Sequence, residues 1–322
     1  MRRRDLRRHE ARRRRRRAVA LLVCVLAGVG ALARVEDAQD GRVRAARIPV
    51  PDAPSAQAAV PAPSHPSAVR LERPDTVALR FRRPPRDGLL FDLETGEVLW
   101  RRRPRERLPV ASLTKVMTAL LVVEGTSSRE RVRVTRAALA YSGSGVGLLP
   151  RGRRVPVEAL LHGLLLVSGN DAAIALADHV GGSERRFVRL MNGRAGRLGL
   201  GCTRFASSHG LERRNRSCVA DLAALTRVAM GERRIARVVR KPTAAVRFPI
   251  RGGRLYLNST NPLLRGRYPG ARGLKTGYTE EAGRCLIGVA RRGGRTLGVV
   301  LLHSPDPARQ ARKLLTTGFR RG

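Results

Sequence analysis

Segments typical of β-strands lie at both ends of the part of this chain that can fold, and a long helical stretch separates them. Alternating or continuous apolar runs predict two strands near residue 90 and five more after about residue 243. Helical periodicity predominates between residues 113 and 230. This order predicts an α+β domain in which the terminal regions share one antiparallel sheet, flanked by helices, and the middle forms a helical subdomain.

The predicted strands span residues 88–93, 97–100, 244–250, 254–258, 273–278, 285–290 and 296–303. The predicted helices span residues 113–123, 156–167, 171–180, 183–198, 219–230 and 309–319. Ser112 stands at the start of the first helix, and Asn170 or Asp171 is expected to cap the third.

The first 33 residues have the pattern of an export signal. Residues 1–17 contain eleven arginines, and the apolar run 18–33 ends in Gly30-Ala31-Leu32-Ala33. Sixteen residues are short for a membrane-spanning helix, which favours cleavage after Ala33. An uncleaved signal anchor, with a membrane tether through residues 18–33, is the alternative. Either outcome predicts an exported protein, located in the cell wall or at the outer face of the cytoplasmic membrane.

Residues 34–75 are rich in alanine and proline and have no sustained hydrophobic period, which predicts an extended linker. The remaining residues, 76–322, form the predicted folded domain. With 42% hydrophobic residues overall, the chain can bury a core of its own.

Positive charge dominates the composition, and arginine carries nearly all of it. The net charge is +40, yet only four of the 65 basic residues are lysines, at positions 115, 241, 275 and 313. Arginine is spread along the whole chain and only 3% of residues are aromatic, which argues against nucleic acid as the partner. Compositional drift toward arginine explains this distribution better. The lysines that remain mark positions where an amine is required.

The cysteine pattern gives little support to a zinc site. Cys202, Cys218 and Cys285 follow the signal, without the spacing of a zinc site. Cys202 and Cys218 are the close pair, and the sequence leaves open whether they form a disulfide. Cys285 lies in an apolar run and is predicted to be a buried thiol.

A serine and a lysine stand one helical turn apart in Ser112-Leu113-Thr114-Lys115. Serine becomes a nucleophile when a base takes its proton. A lysine serves as that base when burial or a nearby cation keeps its amine neutral, and arginine cannot do so. A serine that merely caps a helix is the simpler interpretation of this motif alone.

Two further motifs follow in order. Ser168-Gly169-Asn170 interrupts an apolar helical run, where buried polar groups need partners. In Lys275-Thr276-Gly277, strand alternation places Lys275 and Gly277 on one face and Thr276 on the other. Each motif alone fits a cap or a strand edge, but coincidence explains all three together poorly.

The three motifs resemble the set found in penicillin-binding proteins and class A β-lactamases. The neighbouring sequence is similar to the D-alanyl-D-alanine carboxypeptidases, the low-molecular-mass penicillin-binding proteins of the serine DD-peptidase family. This resemblance covers residues 86–319 and implies a β-lactamase/penicillin-binding-protein-like fold. The stretches that carry it are 92–99, 111–120, 165–173, 208–211, 261–264 and 273–283.

The resemblance also implies roles for individual residues. Ser112 would form an acyl-enzyme with Lys115 as general base, while Ser168 relays a proton and Asn170 holds Lys115 and the substrate. Lys275, Thr276 and Gly277 would line the substrate strand, with Lys275 and Thr276 binding the terminal carboxylate. Tyr278 would share an oxyanion hole with Ser112 through backbone N–H groups. The expected partners are peptidoglycan stem peptides ending in D-Ala-D-Ala, with β-lactams as covalent inhibitors. The resemblance further implies that neither a metal nor an organic cofactor is needed.

Other interpretations stay open at this point. A serine β-lactamase needs a glutamate four residues before an asparagine, whereas Glu212 and Asn215 are three apart. A DD-transpeptidase or endopeptidase of the same fold, and a non-catalytic module that binds the cell wall, are further alternatives. Many family members carry a carboxylate-binding arginine where this chain has Pro307, so the role of Arg309, two residues on, is undecided.

Overall fold

A computed structural model of the chain describes residues 67–141 and 143–321. The predicted signal and most of the predicted linker lie outside the described residues and stay predictions. Residues 67–75, which the composition assigned to the linker, contact the folded domain: Arg70 bridges Glu97, and Asp75 pairs with the guanidinium of Arg101. No helix in the described part is both long and apolar enough to cross a membrane.

Strands from both ends of the domain form one antiparallel sheet in the order β2-β1-β11-β10-β9. This confirms the prediction that the terminal regions share one sheet. Its strands are β1 (Asp87–Asp92), β2 (Val98–Arg102), β9 (Ala271–Thr279), β10 (Gly283–Arg292) and β11 (Arg295–Leu302). Three two-stranded ladders accompany it: β3 (Leu108–Pro109) with β6 (Arg216–Ser217), β4 (Arg131–Arg133) with β5 (Arg154–Pro156), and β7 (Thr243–Arg247) with β8 (Arg254–Asn258). The last ladder stands apart from the main sheet, although its strands were predicted from the same C-terminal run.

The helices agree with the predicted ones within a few residues, and the structure adds three short helices that the pattern did not reveal. The long ones are α1 (Lys115–Gly125), α3 (Val157–Leu166), α4 (Asn170–Gly181), α5 (Glu184–Arg197), α6 (Val219–Gly231) and α9 (Pro307–Arg320). The short ones are α2 (Arg136–Leu139), α7 (Arg233–Val239) and α8 (Pro262–Arg265). A 3-10 turn, Ala111–Thr114, leads into α1.

Both faces of the sheet are covered, because successive side chains of its central strands point to different cores. In β11, Val300 and Leu302 belong to the core shared with the helical subdomain, whereas Val299 and Leu301 pack in the core that includes α9. A fully covered sheet explains why the central strands are almost continuously apolar.

The third predicted helix begins differently from the expectation. Gly169 is its N-cap residue, with no side-chain hydrogen bond, so the predicted capping by Asn170 or Asp171 is wrong. The Asp171 carboxylate instead accepts hydrogen bonds from the backbone N–H groups of Val146 and Gly147, at 2.8 and 3.0 Å. The acidic side chain thus holds a neighbouring loop beside the helix start.

Candidate active site

Ser112 lies in the 3-10 turn that precedes α1, on a backbone of unusual shape. Its neighbour Ala111 has a φ of 46°, a left-handed conformation that is uncommon for a residue with a side chain. Gly210 packs directly against this turn, since a Cβ at that position would come within 2.1 Å of the Ala111 carbonyl oxygen. Ser112 is 8% exposed, so the fold presents its hydroxyl at a shielded point.

Three oxygen atoms surround the amine of Lys115, whose side chain is completely buried. Nζ lies 3.0 Å from Ser112 Oγ, 2.6 Å from Asn170 Oδ1 and 2.6 Å from the His209 carbonyl oxygen. The two carbonyl oxygens can only accept hydrogen bonds, so they take both N–H groups of a neutral amine. The lone pair of the nitrogen is then left for the hydroxyl of Ser112, which is the geometry of a base beside its nucleophile.

The surroundings of Lys115 favour this neutral form. Burial lowers the pKa of its amine well below the ordinary value, and the charge of Lys275 lowers it further, against an opposing effect of Asp171. Lys275 is also buried, at 1% exposure, and burial lowers its pKa to about 7. The cleft thus holds two buried amines whose pKa values are both lowered, and a positive charge on Lys275 disfavours a second one on Lys115.

The register of the sheet explains how Lys275 becomes buried. Lys275 lies opposite Ile287, which in turn lies opposite Val300, and both apolar side chains face the helical subdomain. Side chains in such a cross-strand row share a face, so the amine enters the same interface. There Nζ donates to Ser168 Oγ at 2.9 Å and to the Thr276 carbonyl oxygen at 2.7 Å.

The strand β9 lies at one edge of the main sheet and packs against the turn that carries Ser112. A Cβ on Gly277 would be 3.0 Å from the Ser112 nitrogen and 3.2 Å from the Ala111 Cβ. Glycine is thus the residue that lets the strand approach the nucleophile. Tyr278 follows it and is 63% exposed at the rim.

Thr276 points away from Lys275 and meets a residue that the motifs did not include. Its hydroxyl oxygen lies 2.7 Å from that of Thr260, and the Thr260 hydroxyl donates to the Leu166 carbonyl oxygen at 3.2 Å. This chain of contacts joins β9 to the end of α3, which precedes Ser168 and Asn170.

Ser168 and Asn170 come to the cleft from the break between α3 and α4. Ser168 has a φ of 64°, and the Asn170 N–H donates to the Ser144 carbonyl oxygen at 2.7 Å. Gly169 between them allows close packing, because a Cβ would be 2.8 Å from Asp171 Oδ1 and 3.0 Å from Val146 Cγ2. The loop 143–147 therefore covers this motif from outside.

The structure brings the predicted residues together in two connected groups. Ser112, Lys115 and Asn170 meet at one amine, and Ser168 meets Lys275 at the other. Arg309 lies elsewhere: the depressions that it lines are bounded by Arg83 and Lys313 and contain none of the motif residues.

His209 is the contact that motif reasoning missed. Its carbonyl, not its imidazole, accepts from Lys115, and the sequence signal for it is the adjacent Gly210, whose φ of 92° turns the chain there. Asn215 supports the same loop, accepting from the N–H groups of Ala206 and Ser207 at 2.9 and 3.2 Å.

Two cysteines close this loop. Cys202 and Cys218 form a disulfide, which decides the pairing that the sequence left open. Cys285 is a buried free thiol, as predicted, and burial raises its pKa to about 12.

A shielded serine hydrogen-bonded to a buried lysine of lowered pKa is typical of the serine acyl-transfer enzymes that use an amine as base. The chain belongs to the D-alanyl-D-alanine carboxypeptidase family, whose sequence profile matches residues 85–306. The resemblance and the fold class inferred from the sequence are thereby confirmed.

Individual relatives agree with this assignment. The chain is 35% identical over 246 residues to the D-alanyl-D-alanine carboxypeptidase DacF of Bacillus subtilis, a match that covers 73% of this chain and 62% of DacF. It is 35% identical over 245 residues to DacB2 of Mycobacterium tuberculosis, covering 73% of this chain and 82% of that protein. The chain thus spans less than two thirds of the length of DacF.

Solved structures share the fold. A mutant of the Streptomyces K15 DD-transpeptidase superposes with a TM-score of 0.69 at 32% identity, covering 75% of this chain and all of that one. The D-alanyl-D-alanine carboxypeptidase of Mycobacterium tuberculosis H37Rv superposes with a TM-score of 0.71 at 34% identity, covering 76% and 94%.

Proposed function

We propose that this protein is a serine D-Ala-D-Ala carboxypeptidase that removes the terminal D-alanine from peptidoglycan stem peptides. The observation that carries the proposal is the buried Lys115 amine, whose Nζ lies 3.0 Å from Ser112 Oγ and is held by the carbonyl oxygens of Asn170 and His209. Family membership supplies the substrate class, since the relatives DacF and DacB2 bear that activity in their names.

Acylation begins when Ser112 Oγ attacks the carbonyl carbon of the penultimate D-alanine and Lys115 takes the hydroxyl proton. Backbone N–H groups of Ser112 and Tyr278 stabilise the oxyanion that forms. The C–N bond then breaks, and the proton that Lys115 gained passes to the leaving amine with Ser168 as the relay, which leaves Lys115 neutral again. Ser168 is held in place by Lys275. Water releases the peptide from Ser112 and restores the free hydroxyl.

The free edge of β9 is the place for the substrate. An extended peptide can add to a strand edge through main-chain hydrogen bonds, and Gly277 brings that edge next to Ser112. Lys275 supplies positive charge for the terminal carboxylate, together with the Thr276 hydroxyl. Asn170 holds the Lys115 amine on one side and faces the substrate backbone on the other.

β-Lactams are expected to acylate the same serine, because their strained amide presents a carbonyl to Ser112 in the same geometry. Removal of the terminal D-alanine also takes away the leaving group that cross-linking by transpeptidation requires. The enzyme would therefore limit wall cross-linking and influence cell shape. Because its substrate is peptidoglycan, it would act outside the cytoplasm, after export.

The test is incubation of the purified protein with a stem pentapeptide ending in D-Ala-D-Ala. We expect free D-alanine and a tetrapeptide, and we expect Ser112→Ala to release none and to lose labelling by fluorescent penicillin. Labelling that persists in Ser112→Ala would disprove the assignment of the nucleophile.

A DD-transpeptidase is the second candidate, because the Streptomyces K15 neighbour bears that name. A cross-linked product in the same incubation with an amine acceptor would identify it. Rapid turnover of penicillin without a stable acyl-enzyme would instead indicate a β-lactamase.

A further inference from the structure

A groove of positive charge runs from the rim of the catalytic cleft along the outer side of α9. Three adjoining depressions of 630, 680 and 640 Å³ form it. The first includes Tyr278 at the cleft and shares Arg83 with the second, which in turn shares Arg309 and Lys313 with the third. The third ends at Arg320, in the last turn of the helix. We call this surface the basic groove.

The charge of the basic groove is strongly one-sided. Eleven cationic side chains line it against two carboxylates, Glu280 and Asp306. One of these two is already used, since Asp306 accepts from the Arg309 N–H at 3.0 Å and caps the helix. Within residues 67–141 and 143–321, nine of the eleven cations form no ion pair with an acidic side chain.

Some of these cations have structural contacts, since Arg102, Arg284 and Arg312 donate to backbone carbonyl oxygens. These contacts use N–H groups and leave the positive charges without acidic partners among the described residues. Arg82, Arg83 and Arg309 are exposed, and the Lys313 ammonium rests 5.7 Å from the ring centre of Phe81. Like charges gathered along one groove repel one another, and a bound anion relieves that repulsion.

The shape of the groove indicates a linear ligand. The fourteen residues of α9 extend about 21 Å at 1.5 Å per residue. The second and third depressions lie on this helix, and the first adjoins the second before the helix begins, through Arg83 and Pro305. Guanidinium groups bind phosphate oxygens in pairs of hydrogen bonds and stay charged at every physiological pH. We infer that the basic groove binds a linear polyanion with repeated phosphodiester charges, with one end beside the catalytic cleft.

Nucleic acid fits the groove poorly. Single strands bind through aromatic side chains on which bases stack, but the only aromatic residues lining the groove are Phe81 and Tyr278. Phe81 has Lys313 on its ring and the edge of Trp100 at 6.0 Å between centroids. One exposed tyrosine does not make a stacking platform.

An anionic membrane fits poorly as well. Interfacial binding needs apolar side chains that enter the lipid beside the cations. Among the large apolar side chains exposed in the described residues, Tyr278 is the one that lines the groove. The groove is thus suited to a hydrated polyanion and not to a bilayer.

A second cluster of arginines provides a matched control. Arg233, Arg237, Arg240 and Arg291 are exposed around a single depression that shares no lining residue with the basic groove. None of these four forms an ion pair within the described residues. They match the groove residues in charge and exposure but not in linear arrangement.

The experiment measures binding of linear inorganic polyphosphate to three proteins over a series of salt concentrations. The groove variant combines Arg82→Gln, Arg83→Gln, Arg309→Gln and Lys313→Gln, and the control variant replaces the four control arginines by glutamine. We expect the groove variant to bind at least tenfold more weakly at low salt, with a salt slope lower by about 3. We expect the control variant to stay within threefold of the unaltered protein.

Thermal unfolding by circular dichroism verifies that both variants are folded. Ser112→Ala should bind polyphosphate normally, so the groove and the proposed catalytic activity can fail separately. Equal weakening of both variants would overturn the inference, because net charge would then explain the binding. Tighter binding to phosphatidylglycerol vesicles or to random single-stranded DNA of equal charge would overturn it too.

Discussion

The catalytic cleft and the basic groove are both rich in positive charge, but the cleft carries it on lysine and the groove almost entirely on arginine. In the cleft, Lys115 and Lys275 are buried, and burial lowers the pKa of both amines. In the groove, ten of the eleven cations are exposed to solvent, and Arg102 is half-buried. A group that exchanges a proton is useful where burial lowers its pKa toward neutrality. A group that only attracts an anion can stay exposed and permanently charged.

Replacing lysine by arginine should have the largest effect in the cleft and little effect in the groove. In Lys115→Arg, the guanidinium cannot accept the Ser112 proton at neutral pH, so acylation by fluorescent penicillin should fall by about 10²–10⁴-fold. Lys115→Gln should fall equally, since its amide retains N–H donors but has no basic nitrogen. In the groove, Lys313→Arg retains the charge above Phe81 and should change polyphosphate affinity by less than twofold. Normal acylation by either Lys115 variant would contradict the general-base role.

Close packing offers the next largest difference. Gly277→Ala places a Cβ 3.0 Å from the Ser112 nitrogen, and β9 must move away from the nucleophile. The acylation rate should fall roughly 10- to 100-fold, as expected when reacting groups are displaced by about 1 Å. Gly196→Ala is the matched control, because a Cβ there meets no atom within 4 Å. Similar rates for both variants would show that the strand edge tolerates displacement.

The pH dependence of activity should reveal the titratable charge of the cleft. The kcat/KM for D-alanine release should rise with pH as Lys115 loses its proton, and fall above a pKa of about 7 as Lys275 loses its own. A peptide ending in a carboxamide does not need the Lys275 charge, so its high-pH decline should be weaker. Polyphosphate binding in the groove should be flat between about pH 6 and 9. An identical high-pH decline for both peptides would remove Lys275 from carboxylate binding.

The smallest expected effect is on folding stability, and it comes from Asp87, a buried carboxyl next to arginines that line the basic groove. Its carboxyl is completely buried, and no hydrogen bond reaches either oxygen from the described residues. Burial raises its pKa to about 7 despite the nearby Arg86, Arg102 and Arg103. Because the unfolded chain releases this proton at a lower pH than the folded protein, stability should decrease as pH rises from about 4 to 7.

Asp87→Asn removes that penalty, and differential scanning calorimetry can measure the gain. At pH 8 the melting temperature should rise by about 2–4 °C, equivalent to about 1 kcal/mol. At pH 5 the gain should be smaller, because only the first part of the decline between about pH 4 and 7 has occurred there. An equal gain at both pH values would mean that the exposed arginines already compensate the buried charge.

Much of the fold could be predicted because its strands and long helices have unmistakable periodicity. Strands at both ends of the domain predicted one shared sheet, and the structure contains that sheet, in which β1 pairs with β11. The separate β7–β8 ladder could not be foreseen, since its alternation resembles that of the sheet strands and only tertiary packing sets it apart. The N-cap of α4 was predicted wrongly because the Asp171 carboxylate accepts hydrogen bonds from the backbone of the loop at Val146 and Gly147, and a sequence pattern does not reveal that contact.

The candidate site was predicted from side-chain chemistry, and what was missed is backbone chemistry. Motif spacing identified the serine, the two lysines and the asparagine. The His209 carbonyl has no side-chain motif. Gly210 indicates a turn there, but every residue has a carbonyl and only the fold directs this one at Lys115. The basic groove was missed for a related reason: its arginines are far apart in sequence and resemble all the others until the sheet and α9 align them.

The disulfide between Cys202 and Cys218 encloses the loop that carries His209. Closing a loop of about 15 residues removes roughly 3 kcal/mol of conformational freedom from the unfolded chain. The disulfide therefore favours the folded loop, and with it the His209 carbonyl beside Lys115, by constraining the unfolded chain. Reduction of this bond should lower the stability of the loop, although the disulfide takes no part in the proposed reaction.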